Sequence, residues 1–168
     1  IVVVGGIKFE KGIPGNCHLQ HLTLRQAERD GVNGNSSFTM EDVLVEQSGG
    51  SGVWAWGTGV VGRCTNVEVR QCGWSGVVAC YGASITLIGA KTTVHHNCTK
   101  GRSNAYGLKV SWFPSSTIQL MAPLTKETVS TDNGGGGNWG AVLGGDIQQI
   151  KTIPTNEVTR AKKKKNKK

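Results

Sequence analysis

Charge and aromatic rings are scarce in this 168-residue chain, where charged residues make up 18% and aromatic ones 6%. A highly charged disordered polymer is excluded, because apolar and β-branched residues run steadily through most of the length. Long hydrophobic stretches are missing as well. The longest, Ile1-Val2-Val3-Val4 and Val77-Val78-Ala79-Cys80-Tyr81, fall well short of a membrane-spanning helix, so no membrane partner is expected. Only 4 prolines stand against 25 glycines, and Gly, Ser, Thr and Asn dilute the helix formers throughout, which disfavours a helix bundle. What remains is a glycine-rich β protein of one main domain.

Several chemical signatures are absent too. The five cysteines, Cys17, Cys64, Cys72, Cys80 and Cys98, cannot all pair and contain no Cys-x-x-Cys, so neither a zinc site nor a complete disulfide framework is expected. Buried free thiols in a reducing, intracellular compartment are the expectation. No Gly-x-Ser-x-Gly, phosphate-binding or dinucleotide motif occurs, and the run Gly134–Gly137 lacks a following Lys-Ser/Thr, so no cofactor is expected. His95 and His96, like His18 and His21, face opposite ways in an extended chain, so no metal site is expected either. The chain opens with Ile1, as a fragment or processed product does.

The formal charge is +8, yet the last nine residues, Arg160 to Lys168, carry seven positive charges and leave +1 for the rest. A segment of this kind repels itself and buries nothing. It reads as a disordered Lys-rich tail over 154–168, suited to non-specific polyanion binding or to a nuclear-import address.

The positive finding is a repeat. Leu22-Thr23-Leu24-Arg25-Gln26-Ala27 aligns with Val43-Leu44-Val45-Glu46-Gln47-Ser48, Val67-Glu68-Val69-Arg70-Gln71-Cys72 and Thr92-Thr93-Val94-His95-His96-Asn97. A weaker fifth copy is Glu127-Thr128-Val129-Ser130-Thr131-Asp132, and successive offsets are 21, 24, 25 and 35 residues. Leu24, Val45, Val69, Val94 and Val129 form one apolar column, and Leu22, Val43 and Val67 form another. Alternation of period two within each copy predicts a short strand with one buried face. Gly31, Gly52, Gly76, Gly101 and Gly136 recur at a fixed place and predict corners with φ > 0, although Gly107 fits the fourth position better and implies an inserted loop over Thr99–Tyr106. Further strands are predicted at Ile85–Ile88 and Ile118–Met121.

Short strands and glycine corners in so few residues leave no room for a βαβ unit or a propeller blade. A coil with one turn per repeat fits. Here the sequence resembles the right-handed parallel β-helix of the pectin-lyase-like superfamily, over about residues 15–150. The stretch Asp132–Gly140 is similar to the closing turn of uncharacterised protist members. The resemblance implies an all-β, single-stranded parallel β-helix of about five to six turns with 21–25-residue rungs, over residues 1–153. It also implies an internal polar ladder at Gln26, Gln47, Gln71 and His96, like the asparagine ladders of that group. It does not fix an activity, because the superfamily holds lyases, hydrolases, epimerases and tailspikes.

The acid–base motifs of the superfamily's polygalacturonases are missing. The remaining catalytic candidates are Glu41 with Asp42, and Glu46 with Glu68 and Arg70. Arg25, Glu46 and Arg70 alternate in sign along an outward column, which predicts cross-rung ion pairs. Trp54 and Trp56 flank Ala55, so both indoles point outward if Val53 and Ala55 point inward, with Trp74 at a neighbouring corner. Exposed indoles on a rigid strand suit the apolar faces of sugar rings. The expected function is therefore non-catalytic, or catalytically decayed, binding of an extended polymer, either a polysaccharide or a protein partner. The alternatives are a polysaccharide-active lyase, hydrolase or epimerase, and a nuclear or nucleic-acid-associated protein acting through its basic tail. Deleting Arg160–Lys168 is expected to leave the melting temperature nearly unchanged while removing most salt-sensitive binding to heparin or DNA. Binding retained by the truncated protein would place the basic site elsewhere.

Overall fold

The computed structural model describes residues 1–155, so the expected Lys-rich tail lies outside the described residues except for its first two positions. Strands dominate. They are β1 (Val2–Val4), β2 (Ile7–Phe9), β3 (Cys17–Arg25), β4 (Val32–Gly34), β5 (Phe38–Glu46) and β6 (Val53–Trp56). There follow β7 (Val61–Thr65), β8 (Glu68–Arg70), β9 (Val77–Cys80), β10 (Ser84–Ile88) and β11 (Thr93–His95). The last are β12 (Tyr106–Ser111), β13 (Thr117–Met121), β14 (Ser130–Thr131), β15 (Gly137–Val142) and β16 (Ile150–Ile153). Two short helical elements accompany them, α1 (Lys126–Val129), capped at its start by the Thr125 hydroxyl, and a 3-10 turn at Ile147–Gln149.

Two sheets hold these strands, and the pairing within both is parallel. The smaller sheet runs β2-β4-β6-β9-β12-β15, so each return of the chain adds the next strand in sequence order. The larger sheet bends. In β3 and β5 the bend falls at His21 and Asp42, with φ of 52° and 50°; in the next layer Asn66, with φ of 51°, separates β7 from β8. Asn and Asp tolerate this left-handed region better than most residues. Inside, Leu24, Val45, Val69 and Val94 stack in register, almost wholly buried.

Three sequence expectations need correction. Val129 does not continue the valine column, because the register sets Ser130 opposite Val94; Val129 instead buries itself at the end of α1. The recurring glycines Gly31, Gly52 and Gly76 do not have positive φ. They sit where a Cβ would strike the adjacent layer, 2.8 Å from the Gly52 carbonyl at Gly31 and 2.7 Å from the Gly107 carbonyl at Gly76. Gly107 continues this column. Gly101 lies in the inserted loop with φ +66°, and the next place after Gly107 belongs to Asn138, whose carbonyl would lie 2.6 Å from a Gly107 Cβ.

The third correction concerns the ladder. Gln26, Gln47, Gln71 and His96 share a column, but all four are exposed and carry φ of 53–56°. Strict alternation would turn them inward after Arg25, Glu46, Arg70 and His95. One left-handed residue breaks the alternation, so the glutamines face solvent and the following residue enters the interior. The internal amide ladder is therefore Asn97 and Asn133, while on the outside Gln47 Nε2 donates to Gln71 Oε1 at 3.5 Å. Asn97 Oδ1 accepts from the Cys72 amide at 3.1 Å, and its Nδ2 donates to the Val69 carbonyl at 3.0 Å and to Asn133 Oδ1 at 3.1 Å. Asn133 repeats the pattern by donating to the Val94 carbonyl at 3.1 Å. Asn97→Ala leaves a buried donor and a buried acceptor without partners and is expected to cost about 2–4 kcal/mol in urea denaturation. Gln71→Ala, on the surface, is expected to cost about 0.5 kcal/mol or less. The reverse order would restore the glutamine ladder.

Candidate functional site

The alternation within β6 sets the site. Val53 and Ala55 are fully buried, so Trp54 and Trp56 leave the outer face of the smaller sheet, Trp54 half-buried and Trp56 exposed. Register places Lys8, Asn33 and Trp54 in one outward column across three adjacent strands. Beside this face runs a ridge built from the corner segments of successive layers, including Glu28–Asp30, Gly49-Gly50 and Trp74. Between face and ridge lies an open groove of about 800 Å³. All three tryptophans singled out in the sequence line it, together with Lys8, Arg29, Lys100, Asn33 and Asn35.

The ridge is fixed rather than loose. Asp30 spends both carboxylate oxygens internally, accepting from the Ser51 amide at 2.9 Å and from Asn33 Nδ2 at 3.0 Å. The inserted loop folds back over the corners: the Lys100 amide donates to the Gly73 carbonyl at 3.0 Å and its ammonium to the Gly49 carbonyl at 2.7 Å. Arg102, from the same loop, holds its guanidinium over the Trp74 ring, 4.4 Å from the centroid.

Trp56 has a second set of neighbours that the sequence did not reveal. Its ring lies 5.3 Å from that of Tyr81, which in turn stacks on Trp112 at 5.2 Å and meets Phe113 edge-on at 5.4 Å. Tyr81 and Trp112 occupy one corner column with φ of 54° and 69°. The register is the signal that finds them: each follows a residue paired in the same ladder, Cys80 and Ser111. Tyr81 covers part of the Trp56 ring and the Arg102 guanidinium part of the Trp74 ring, both of which remain exposed, while Trp54 is half-buried.

The catalytic candidates lie on the larger sheet. Glu46 is brought to Arg70 and Arg25, and Glu68 to Arg70, but these groups are committed to one another. Glu46 accepts from Arg25 Nε at 2.6 Å and from Arg70 Nη2 at 2.8 Å; Glu68 accepts from Arg70 Nη1 at 3.2 Å and meets His95 Nε2 at 2.9 Å. The column's alternating signs therefore do pair. Glu46 is only 2% exposed, covered largely by its two arginines. The hydrogen bond from Arg70 holds the Glu46 carboxyl below its ordinary range, with Arg25 adding to the effect against the opposing cost of burial. The same bond raises Arg70. An acid made harder to protonate and a cation made harder to deprotonate are both moved away from proton transfer near neutrality. Glu41 and Asp42 are exposed neighbours at a bend, Asp42 lying 3.4 Å from His21 Nδ1, and neither lines the groove. Burial pushes the thiols of Cys64 and Cys80 up to about 12 and those of Cys72 and Cys98 up to about 11.

A carboxyl group held low in the folded state stabilises the fold above its ordinary value of 4.5, and the contribution disappears as pH falls through the lowered value. Glu46→Gln is expected to cost about 1–2 kcal/mol at neutral pH, with the difference from wild type shrinking as the pH is lowered below the ordinary carboxylate range in urea titrations. A difference independent of pH would contradict the ion-pair account. No family model, no curated protein and no solved structure matches the chain, so the groove's own residues carry the functional reading.

Proposed function

We propose that the chain is a right-handed parallel β-helix domain whose groove binds an extended glycan without chemically altering it. The helical reading is supported by parallel pairing, by the sequence order of strands in the smaller sheet, and by left-handed corner residues that recur from layer to layer. The functional reading rests on one observation: Trp54, Trp56 and Trp74, from two different layers, line a single open groove with the carboxamides Asn33 and Asn35. Indole faces take the C–H surface of a sugar ring, while amides and cations take its hydroxyls. An open groove admits the middle of a chain as well as its end, which favours a polymer over a small molecule. The enzymatic alternative is weaker, because Glu46, Glu68 and Arg70 are occupied by one another on a different sheet.

The test replaces Trp54 and Trp74 together by Ala and measures affinity electrophoresis against pectin, alginate, sulfated galactans and a neutral galactan. Each stacked ring contributes about 0.5–1.5 kcal/mol beyond its buried area, so binding should weaken roughly tenfold or more. Thermal melting should stay near wild type, since neither indole belongs to the core. Unchanged binding by a folded double variant would refute the groove reading. Trp56→Ala is expected to lower the melting temperature, because it removes a partner of Tyr81.

A further inference from the structure

We infer that the apolar ridge formed by Trp56, Tyr81, Trp112, Phe113 and Leu143 lays the protein against an anionic lipid surface, with the Lys-rich residues Arg160 to Lys168 as a second attachment. Of the ridge residues only Trp56 lines the groove, so the ridge is a separate surface. Register assembles it. Trp56, Cys80, Ser111 and Val142 are paired in one ladder, so the residues that follow them, Gly57, Tyr81, Trp112 and Leu143, share one corner column. All four have positive φ, at 107°, 54°, 69° and 51°. Glycine is the least strained occupant of that region, yet three of the four places hold large side chains. The turn does not require them. Trp112, Phe113 and Leu143 are 42%, 45% and 58% exposed, so the core does not require them either. Tyr81 lies between the Trp56 and Trp112 rings, at 5.3 and 5.2 Å, and holds the ridge together. Bulky residues kept in a costly conformation, at the surface, point to a partner.

Charge and size point to what covers the ridge. The corner segments 57–60, 81–83, 112–116 and 143–146 contain one charged residue, Asp146, whose carboxylate accepts from the Gln148 amide at 2.9 Å. A partner recognised through ion pairs finds little there. The exposed parts of Trp56, Trp112, Phe113 and Leu143 offer on the order of 400 Å² of apolar surface, taking about 200 Å² for a whole large side chain. A stable protein complex, a second copy included, takes about 800 Å² from each partner. A bilayer asks for less, because shallow apolar insertion and attraction to acidic headgroups act together. Indole and phenol rings favour the boundary between headgroups and acyl chains. The attraction to acidic headgroups is available in the same chain, since Arg160 to Lys168 carries seven positive charges. Leu143 and β16 belong to the same last layer, and Arg160 lies seven positions beyond Ile153. Seven residues span up to roughly 25 Å, against roughly 13 Å for the length of β16, so the basic residues can reach the plane of the ridge. Short apolar runs exclude crossing a bilayer, not lying on one. Because the ridge runs from layer to layer, the coil lies with its axis along the membrane plane.

The experiment uses the full chain and co-sedimentation with vesicles of phosphatidylcholine, alone or mixed with phosphatidylserine. Wild type should bind the mixed vesicles, and phosphatidylcholine alone more weakly. Phe113→Ser combined with Leu143→Asn should weaken binding to mixed vesicles roughly tenfold or more. Its salt-sensitive binding to heparin should stay at the wild-type level, since heparin meets only the basic residues. Asparagine tolerates the left-handed corner, so thermal melting should stay close to wild type. Each single variant is measured as well, so that a fold defect in one leaves the other to decide. Replacing Lys162, Lys163, Lys164 and Lys165 by Gln should also weaken binding to mixed vesicles roughly tenfold or more, while leaving the weaker binding to phosphatidylcholine unchanged. Wild-type vesicle binding by the folded Phe113→Ser, Leu143→Asn protein overturns the inference, as does a wild type that binds neither vesicle. A concentration-dependent dimer in vesicle-free buffer, abolished by the same two substitutions, also overturns it and makes the ridge a contact between copies. Trp54→Ala with Trp74→Ala should bind vesicles like wild type, whatever becomes of glycan binding. Loss of vesicle binding in that variant would move the membrane contact to the groove and overturn the inference.

Discussion

Backbone hydrogen bonds between layers, rather than within them, are the constraint from which the rest of this structure follows. A strand that pairs in parallel with the layers on either side must turn where they turn. The protein meets that demand with single residues in the left-handed region: Gln26, Gln47, Gln71 and His96 at one corner, His21, Asp42 and Asn66 at another, Tyr81 and Trp112 at a third. For residues other than glycine this conformation costs about 1–2 kcal/mol each. The corner amides offset part of the cost through cross-layer bonds, Gln26 to the Glu46 carbonyl and Gln47 to the Arg70 carbonyl, both at 3.1 Å.

Each corner residue also resets which side chains face in. That reset separates the exposed glutamine column from the buried column beside it, where Asn97 and Asn133 span the layers. It also aligns the corner segments into the ridge that walls the groove. Fold and site are linked at this point: the feature that lets layers stack is the feature that brings Trp74 and Trp54 to one groove.

The sequence revealed the layers because the valine column and the offsets are local patterns. It also gave the outward direction of Trp54 and Trp56, since alternation inside a four-residue strand needs no knowledge of its neighbours. It misplaced the ladder because φ at Gln47 or Gln71 leaves no mark on composition, and glutamine is an unusual choice for a left-handed corner. It read the glycines as flexible when their role is absence of a Cβ against the next layer, a property of register. Tyr81, Trp112 and Phe113 were overlooked for the same reason, as they meet only when layers are superposed. Arg102 entered the sequence reading merely as part of an insertion, and its contact with Trp74 depends on where that loop folds back.

The chemistry divides between two faces. On the larger sheet, opposite charges satisfy one another across layers, which contributes to stability and leaves little reactivity. On the smaller sheet, indole rings and carboxamides line an open groove. The central claim, in-register stacking turned by left-handed corners, is tested most directly by nuclear magnetic resonance of the labelled protein. The account predicts cross-layer nuclear Overhauser contacts linking Val45, Val69 and Val94 in order, with couplings reporting positive φ at Gln47, Gln71 and His96. Extended backbone at those three residues, or antiparallel contacts between the valine strands, would contradict it.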